Sequence, residues 1–370
     1  MSPLRLAIIG AGHLGRIHAR LATELSDVEL VAVCDPSEAT RNEIAAAYDT
    51  TPIADYRDII PQIDAAIVAA PTSLHCRIGS ELASRGIHCF IEKPLAPTVE
   101  EADALVAIAE QHDVVLQVGH VERFNPALQS AAPYLVEPKY VEARRLSSYP
   151  FRSTDTGVVM DLMIHDIDVI LSLVHSGVRS VDALGFSVLG GNEDVAQARV
   201  TFDSGCVANL TASRVSYETC RKTHIWTSTA FASLDFASGQ STVTDPSADV
   251  LQRRFDVNTI STDETAHLKE HLFEELLVKQ VVPSESVNAI AEEHRDFIAS
   301  IRTGQAPRVS GTSGRDAVAL AERILVEIEN HAWDGDADGR RGPFAMSTSP
   351  ILRGPHWHTT APPARHREAS

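Results

Sequence analysis

The first 120 residues alternate between short apolar runs and stretches whose apolar positions have helical spacing. Five runs of strand length are apolar on both faces: Leu4–Ile9, Leu30–Cys34, Ala65–Ala69, His88–Ile91 and Val114–Val118. The stretches between them predict helices near Leu14–Thr23, Glu38–Ala47, Cys76–Ser84 and Val99–Glu110. Such an alternation is typical of a parallel sheet covered on both sides. Residues 1–122 are therefore predicted to form a doubly wound α/β domain.

The pattern changes after residue 123. A helical stretch over Val158–Val174 precedes runs with a period of two: Ser180–Leu189, Ala196–Phe202, Cys206–Ser213, Thr223–Ser228, Ala230–Phe236 and Leu251–Val257. Asp203-Ser204-Gly205 predicts a hairpin turn between two of these strands. Alternation indicates a sheet with one buried face, so residues 123–333 are expected to form an α+β domain with a large, mainly antiparallel open sheet. Two late helices are expected near Ser284–Arg302 and Thr312–His331.

Residues 334–370 have no periodicity and are dominated by Gly, Pro, Ser, Thr, Arg and His, which predicts a flexible tail. His356 and His358 lie close together there, but no partners follow at ligand spacing. We therefore expect no metal site.

The composition of the chain argues against membranes and nucleic acids as partners. The chain of 370 residues has 44% hydrophobic and 22% charged residues, as ordinary globular proteins have. No apolar run approaches the roughly 18 residues that cross a membrane, and the N-terminus lacks a signal-peptide layout, so we expect a cytoplasmic protein without a membrane partner. A net charge of −18 without any lysine-rich run opposes nucleic-acid binding. The five cysteines form no C-x-x-C pair and are expected to be reduced thiols.

A glycine-rich motif follows the first strand directly. It reads Gly10-Ala11-Gly12-His13-Leu14-Gly15 and opens the first predicted helix. In a dinucleotide-binding loop the first glycine permits the tight turn, the second lets the backbone approach a pyrophosphate, and the third lets helix and strand pack closely. Asp35 ends the second strand, where a carboxylate accepts hydrogen bonds from ribose hydroxyls and repels a 2′-phosphate. NAD is therefore favoured over NADP as the cofactor.

Two further strand ends point at the same crevice, because ligands of open parallel sheets bind beyond the carboxyl ends of the strands. One carries Pro71, Thr72 and His75, which we assign to the cofactor site. The other is Glu92-Lys93-Pro94. On spacing alone, Lys93 could be structural, phosphate-binding or catalytic.

The helix predicted over Val158–Val174 carries a narrow polar stripe on an otherwise apolar surface. Asp161, His165 and Asp168 stand at i, i+4 and i+7 and share one face. Buried carboxylates need a partner, so the stripe either joins the two domains or forms a site in which His165 is an acid or base. Asp166 lies about 100° away around the helix and is expected outside the stripe.

Together, the glycine motif, Asp35, Glu92-Lys93-Pro94 and Asp161-x-x-x-His165 resemble the glucose–fructose oxidoreductase / inositol dehydrogenase / rhizopine-catabolism protein family over residues 4–332. This resemblance implies a Rossmann domain, a second α/β domain whose sheet forms homodimer or homotetramer contacts, and nicotinamide-dependent chemistry at a sugar or polyol carbon. It carries Lys93, Asp161 and His165 over as catalytic residues. Glu92 and Arg123 are added to the expected cofactor-binding residues. Only Gly157 remains of the glycines that often precede the aspartate, which predicts a different local loop.

Within that family, residues 119–126 and 161–168 look like the branch of UDP-N-acetylglucosamine 3-dehydrogenases. The branch implies oxidation of the sugar 3-hydroxyl to a ketone, before an aminotransferase makes a 3-amino sugar for lipid A or other glycoconjugates. A nucleotide sugar carries a pyrophosphate, and the sequence does not choose among its candidate partners Arg123, Arg144, Arg145, Arg152, Arg214 and Arg221.

In the mechanism that we expect, His165 takes the proton of the alcohol and Lys93 hydrogen-bonds the same oxygen, or the two exchange these roles. Asp161 would orient His165 or bind a neighbouring hydroxyl. Two alternatives remain open. One is a dehydrogenase of a free polyol such as inositol, or of another sugar, and the other is a non-catalytic NAD-binding regulator.

Overall fold

The first sheet holds the glycine motif at its centre. The computed structural model describes residues 2–151, 156–189, 191–285, 287–333 and 339–345. Six parallel strands form the sheet in the order β3-β2-β1-β4-β5-β6: β1 (Leu4–Ile9), β2 (Val28–Cys34), β3 (Thr51–Ile53), β4 (Ala65–Val68), β5 (His88–Glu92) and β6 (Leu116–Gly119). The order reverses between β1 and β4, which opens a crevice at the carboxyl ends of these strands.

Four helices connect these strands and cover both faces of the sheet: α1 (His13–Thr23), α2 (Glu38–Tyr48), α3 (His75–Ala83) and α4 (Val99–Gln111). Ser37 and Thr98 accept hydrogen bonds from first-turn N–H groups and so begin α2 and α4. All residues of β4 are buried, as strands covered on both faces require. The predicted doubly wound domain is confirmed, with the short edge strand β3 as an addition.

The second sheet has eight strands in the order β14-β13-β12-β11-β7-β10-β9-β8. They are β7 (Tyr140–Leu146), β8 (Val178–Phe186), β9 (Val195–Phe202), β10 (Val207–Ser213), β11 (Cys220–Trp226), β12 (Phe231–Asp235), β13 (Gln240–Pro246) and β14 (Leu277–Val282). Among the described strand pairs of this sheet, only β7 and β10 are parallel, so the expectation of a mainly antiparallel sheet is confirmed. The hairpin turn at Gly205, whose φ is +84°, is also confirmed.

Six helices accompany this sheet: α5 (Pro126–Ala131), α6 (Ile164–Leu173), α7 (Ala248–Leu251), α8 (Thr262–Glu275), α9 (Ala289–Thr303) and α10 (Gly311–Asn330). The two late helices, which we grouped with the second domain, also pack on the first sheet. Phe297 and Ile298 of α9 belong to the apolar cluster around β1. Gly311 and Gly314 of α10 lie against Leu116 and Val118 of β6. The two domains therefore share a packed boundary.

The prediction of a strand over Leu251–Val257 is wrong. Ser247 caps the short helix α7 there, and Arg253 adopts a φ of +54°, which ends the helix in a turn. Strands β7, β13 and β14 and helix α8 are additions to the expected elements.

Most of the expected tail, residues 334–338 and 346–370, lies outside the described residues. Its described part packs on the second domain. Arg341 forms an isolated antiparallel β-bridge with Ala332, and the Ser187 N–H donates a hydrogen bond to the Pro343 carbonyl. In the described ranges, none of the helices combines the length and apolar character needed to span a membrane.

Candidate active site

The loop between β1 and α1 has the geometry that a bound dinucleotide requires. Gly10 adopts a φ of +99°, and a Cβ there would lie 2.5 Å from the carbonyl oxygen of Ala69. A Cβ on Gly15 would lie 1.8 Å from the Gly10 oxygen, whereas one on Gly12 would meet no atom within 4 Å. Gly12 therefore leaves open space before the N-terminus of α1. No described side chain caps this N-terminus, so its N–H groups are available to phosphate.

Asp35 stands at the edge of this space, directly after β2. Its Oδ2 accepts a hydrogen bond of 2.8 Å from the Ala11 N–H, and its Oδ1 accepts one of 2.8 Å from the Ser37 N–H. Each oxygen keeps a further lone pair for a ribose hydroxyl. The fixed negative charge disfavours a 2′-phosphate at the same place. The arrangement fits NAD.

A cavity of about 500 Å³ extends from this loop towards the second domain. All the predicted cofactor residues except Ala11 and Arg123 line it: Gly10, Gly12, His13, Leu14, Asp35, Pro71, Thr72, His75, Glu92 and Lys93. Thr156, Met160 and Asp161 complete the lining from the second domain. The residues expected at separate strand ends thus meet in one crevice.

His75 contributes to this cavity mainly by holding its walls. Its Nδ1 lies 2.9 Å from the Pro94 carbonyl oxygen, and its Nε2 lies 2.8 Å from the Ala70 carbonyl oxygen. Burial lowers the pKa of the imidazole, so the neutral ring donates to one carbonyl at a time. His75 therefore ties together the loops that follow β4 and β5.

Lys93 reaches across the domain boundary to the second domain. Its Nζ donates to the Oδ1 of Asp161 at 2.9 Å and to the backbone carbonyl of the same residue at 2.8 Å. Its side chain is 15% exposed, towards the cavity that it lines. Asp161 is thus the direct partner of Lys93, and within the described chain it makes no hydrogen bond to His165. Of the two sequence-based roles for Asp161, orienting His165 has no support in these contacts.

Asp161 lies in a π-helical turn, Val159–Met163, that leads into α6. Such turns are frequent at functional sites because they re-aim side chains. Glu193 holds the turn, since its Oε1 accepts from the Val159 N–H at 3.0 Å. A Cβ on Gly157 would lie 2.0 Å from either oxygen of this carboxylate. A side chain at position 157 would therefore displace the Glu193 carboxylate. Glu193 lies far along the chain, so no local sequence pattern indicates this contact.

His165 follows on the first turn of α6. Its Nδ1 is sealed from solvent without a hydrogen-bond partner in the described ranges. Its Nε2 makes no hydrogen bond among the described residues and is not among the sealed atoms, although His165 itself is not one of the residues that line the cavity. Burial, followed by the nearby Lys93 ammonium, lowers the pKa of the imidazole well below its ordinary value. A neutral histidine with one open nitrogen is able to accept a proton.

His120 is a site residue that sequence reasoning missed. It follows β6 and is fully buried, and neither ring nitrogen has a partner among the described residues. Its ring meets that of His165 edge to face, with 6.4 Å between the centroids. Burial, with Lys93 and Arg123 adding to it, lowers the pKa of His120 to about 3. Its place at another strand end of the crevice was the available signal.

The remaining carboxylates of the stripe have separate partners. Asp166, which was expected outside the stripe, binds the buried Arg145 through both oxygens at 2.9 and 3.1 Å. Asp168 is fully buried and accepts from Arg123 at 3.4 Å, while burial raises the pKa of its carboxyl to about 7. Arg123 also donates to the Arg308 carbonyl. It therefore joins elements of the second domain and is not part of the cavity lining.

A buried polar chain lies beneath Lys93. Glu92 accepts from the Lys93 N–H at 3.2 Å through Oε2, and its Oε1 lies 2.8 Å from the Nε2 of His18. The other nitrogen of His18 lies 2.8 Å from the Nε2 of His294 on α9. Glu92 thus fixes the backbone that carries Lys93.

The fold and this site define a dinucleotide-dependent oxidoreductase, and comparison with known proteins identifies the family. Residues 4–120 match the model of an oxidoreductase family with an NAD-binding Rossmann fold, and residues 134–240 match the C-terminal domain of the same family. The chain belongs to the glucose–fructose oxidoreductase / inositol dehydrogenase / rhizopine-catabolism protein family. The predicted NAD-binding oxidoreductase is confirmed.

Two relatives show how far the similarity extends. UDP-N-acetylglucosamine 3-dehydrogenase from Acidithiobacillus ferrooxidans is 33% identical over 89% of this chain and 98% of its own length. Its solved structure matches with a TM-score of 0.77 at 31% identity, covering 89% of this chain and 99% of that one. A scyllo-inositol 2-dehydrogenase (NAD(+)) from Bacillus subtilis is 32% identical over 58% of this chain and 68% of its own length.

Proposed function

We propose that this protein uses NAD to oxidise a secondary alcohol of a sugar to a ketone. We further propose that the sugar is UDP-N-acetylglucosamine, oxidised at its 3-hydroxyl. The observation that carries the proposal is the pair of Lys93 and Asp161, which lines the dinucleotide cavity where the two domains meet. His165, whose Nε2 makes no hydrogen bond among the described residues, lies on the next helical turn. An alcohol placed there meets both a donor and a base.

Bound NAD supplies the hydride acceptor for the carbon-bound hydrogen. The Lys93 ammonium donates a hydrogen bond to the alcohol oxygen and stabilises the negative charge that develops on it. His165 accepts the hydroxyl proton at Nε2, because its lowered pKa keeps the ring neutral and ready. The hydroxyl proton and the hydride thus leave from adjacent atoms in one oxidation. Exchange of the two roles between Lys93 and His165 gives the same balance.

Asp161 positions the ammonium of Lys93 in this proposal. Two hydrogen bonds to one residue fix the Nζ at the domain boundary. The carboxylate also keeps a free lone pair with which it can bind a hydroxyl of the sugar. Asp161 is thus the residue that couples placement of the substrate to placement of Lys93.

Similarity over almost the full length of the Acidithiobacillus enzyme supports UDP-N-acetylglucosamine as the substrate, because the matched region spans both domains. The 3-ketone would then need a consuming reaction such as transamination, which yields a 3-amino sugar for glycoconjugate synthesis. A homodimer or homotetramer and a cytoplasmic location stay predictions.

The proposal is tested by NADH formation from NAD with UDP-N-acetylglucosamine, UDP-glucose, myo-inositol and free glucose. An aminotransferase or another ketone trap should be present to draw an unfavourable oxidation forward. Turnover with UDP-N-acetylglucosamine alone supports the proposal. Turnover with myo-inositol alone would replace the substrate with a free polyol, and NAD binding without turnover of any sugar would favour the regulator.

A further inference from the structure

Arg221 lies near the beginning of β11, an interior strand of the second sheet. It lies on β11 directly opposite Arg145 of β7, so both side chains leave the same face of the sheet. Arg145 contacts Asp166 on the first turn of α6, beside His165. Further along β11 on this face, Thr223 and Ile225 are buried beneath the helices, whereas Arg221 is exposed. It therefore stands at the exposed end of the sheet face that contacts α6.

Arg221 has no charged partner in the part of the chain that the structure describes. Arg145, opposite to it, is neutralised by Glu122 and Asp166 at 2.9 Å each. Like charges directly opposite one another across two strands are destabilising. An unpaired guanidinium at this place is notable in a chain with a net charge of −18. The position of Arg221 is thus one that an anion would stabilise.

The other arginines that the sequence left open are unsuited to bind a substrate anion. Arg123 and Arg214 are engaged by Asp168 and Asp194, and Arg214 is almost fully buried. Arg144 leaves the opposite face of the sheet, where it faces Lys222. Arg152 lies outside the described residues. Among the described candidates, Arg221 alone combines exposure, a guanidinium without a charged partner and a place on the sheet face that contacts α6.

Arg221 is not among the residues that line the cofactor cavity, which suits a ligand group remote from the oxidised carbon. Burial is the main cause of the lowered pKa of His165, and the charges of Lys93, Arg145 and His120 add to it. The positive charge of Arg221 makes a further, smaller contribution to the same shift. The loops at this end of the sheet also carry exposed aromatic rings, Phe151 and Tyr217. The Ser216 N–H donates to the Ser147 carbonyl at 3.0 Å, which holds the two loops side by side. Aromatic rings of this kind can stack on a nucleobase.

We propose that Arg221 binds the diphosphate of a nucleoside diphosphate sugar at the mouth of the cleft. This inference rests on the proposed function and adds the residue that distinguishes a nucleotide sugar from a free polyol. The guanidinium would donate paired hydrogen bonds to the diphosphate oxygens, the geometry for which arginine is suited. The sugar ring would extend from there towards His165 and Lys93.

The test is calorimetric titration of the NADH-bound protein with UDP, using Arg221→Gln, Arg221→Lys and Arg144→Gln. Arg144→Gln removes the same charge from the other face of the same strand pair and serves as the matched control. We expect Arg221→Gln to weaken UDP binding roughly 10- to 100-fold, Arg221→Lys to recover part of it, and Arg144→Gln to stay within about twofold. KM for UDP-N-acetylglucosamine should rise in parallel, with little change in kcat.

The contrary results distinguish failure of the Arg221 assignment from failure of the proposed substrate. If Arg221→Gln binds UDP as the unmodified protein does, or if Arg144→Gln loses as much affinity, the assignment of Arg221 is overturned while the nucleotide-sugar substrate stands. If the unmodified protein neither binds UDP nor oxidises UDP-N-acetylglucosamine but oxidises a free polyol, the substrate proposal fails and the Arg221 inference fails with it.

Discussion

Lys93 and Asp161, which are 68 residues apart and belong to different domains, are joined by two hydrogen bonds from a single ammonium group. Neither domain alone holds both residues. The Lys93 backbone is fixed by Glu92 in the first domain, and the turn of Asp161 is fixed by Glu193 in the second. The proposed catalytic arrangement therefore exists only while the boundary shared with α9 and α10 is packed.

Replacement of Lys93 by methionine is expected to lower kcat/KM by at least roughly a thousandfold and to leave the Kd for NAD nearly unchanged. The side chain of methionine fills similar space but donates no hydrogen bond to the alcohol oxygen. Steady-state kinetics and NADH titration by fluorescence measure the two effects. Lys222→Met, on the open face of the second sheet, is the control. Retained turnover in Lys93→Met would remove Lys93 from the mechanism.

The first domain was predictable because local pattern and burial agree in it. Strands such as β1 and β4 are apolar along almost their whole length, so their boundaries are visible in the sequence. Strand β7 escaped prediction because it carries Glu142, Arg144 and Arg145. The side chains of Glu142 and Arg144 project from the open face of the sheet. Arg145 is buried, because Glu122 and Asp166 neutralise its charge. Such compensation comes from distant parts of the chain and has no local pattern.

In the candidate site, too, the features set by neighbouring residues were predictable, and those set by distant contacts were not. The glycine loop and Asp35 were predictable because their geometry is set by a strand, a turn and a helix that are adjacent in sequence. The sequence predicts Asp161 as a site residue. It does not predict that Lys93 is its hydrogen-bond partner, because nothing in the helix indicates that Lys93 reaches it. Glu193 became visible only through a contact made across the fold, whereas His120 follows a strand of the crevice and could have been found from that position.

Two glycines of the motif should respond differently to alanine. A Cβ on Gly12 meets no atom within 4 Å, so Gly12→Ala should change the free energy of unfolding by less than about 0.5 kcal/mol. The methyl group would occupy the space before α1, and NAD binding should weaken at least roughly tenfold. Gly15→Ala, whose Cβ would lie 1.8 Å from the Gly10 oxygen, should lower the free energy of unfolding by about 1–3 kcal/mol.

Urea unfolding of the apoprotein and titration with NADH separate these two effects. A Gly12→Ala protein that binds NADH normally would contradict the placement of the pyrophosphate beside Gly12. A Gly15→Ala protein of unchanged stability would contradict the close packing between the loop and α1.

Asp35→Ser should shift the cofactor preference from NAD towards NADP. The substitution removes the carboxylate that repels a 2′-phosphate and that accepts from ribose hydroxyls, so NAD should bind roughly 10- to 100-fold more weakly. Arg41, whose guanidinium donates to the Pro36 carbonyl at 3.0 Å, lies close enough to attract the added phosphate. The ratio of kcat/KM for NADP to that for NAD measures the shift. Glu38→Ser removes a neighbouring charge as the control, and an equal ratio in both variants would contradict the role of Asp35.

The buried His120 should make the protein sensitive to acid. Its folded-state pKa of about 3 is below the ordinary value of 6.5, so the unfolded chain binds more protons between these two pH values. The stabilisation is complete above pH 6.5 and is lost as the pH falls towards 3, by about 1.4 kcal/mol for each pH unit. The free energy of unfolding, measured with urea at pH 7.5 and pH 5, should therefore fall less in His120→Leu than in the unmodified protein, by about 2 kcal/mol. His294 is present in both proteins, so its contribution cancels in the difference; His165 contacts His120, so the same pair of measurements is repeated in a His165→Leu background. Equal losses in the two proteins would show that His120 takes up a proton in the folded state.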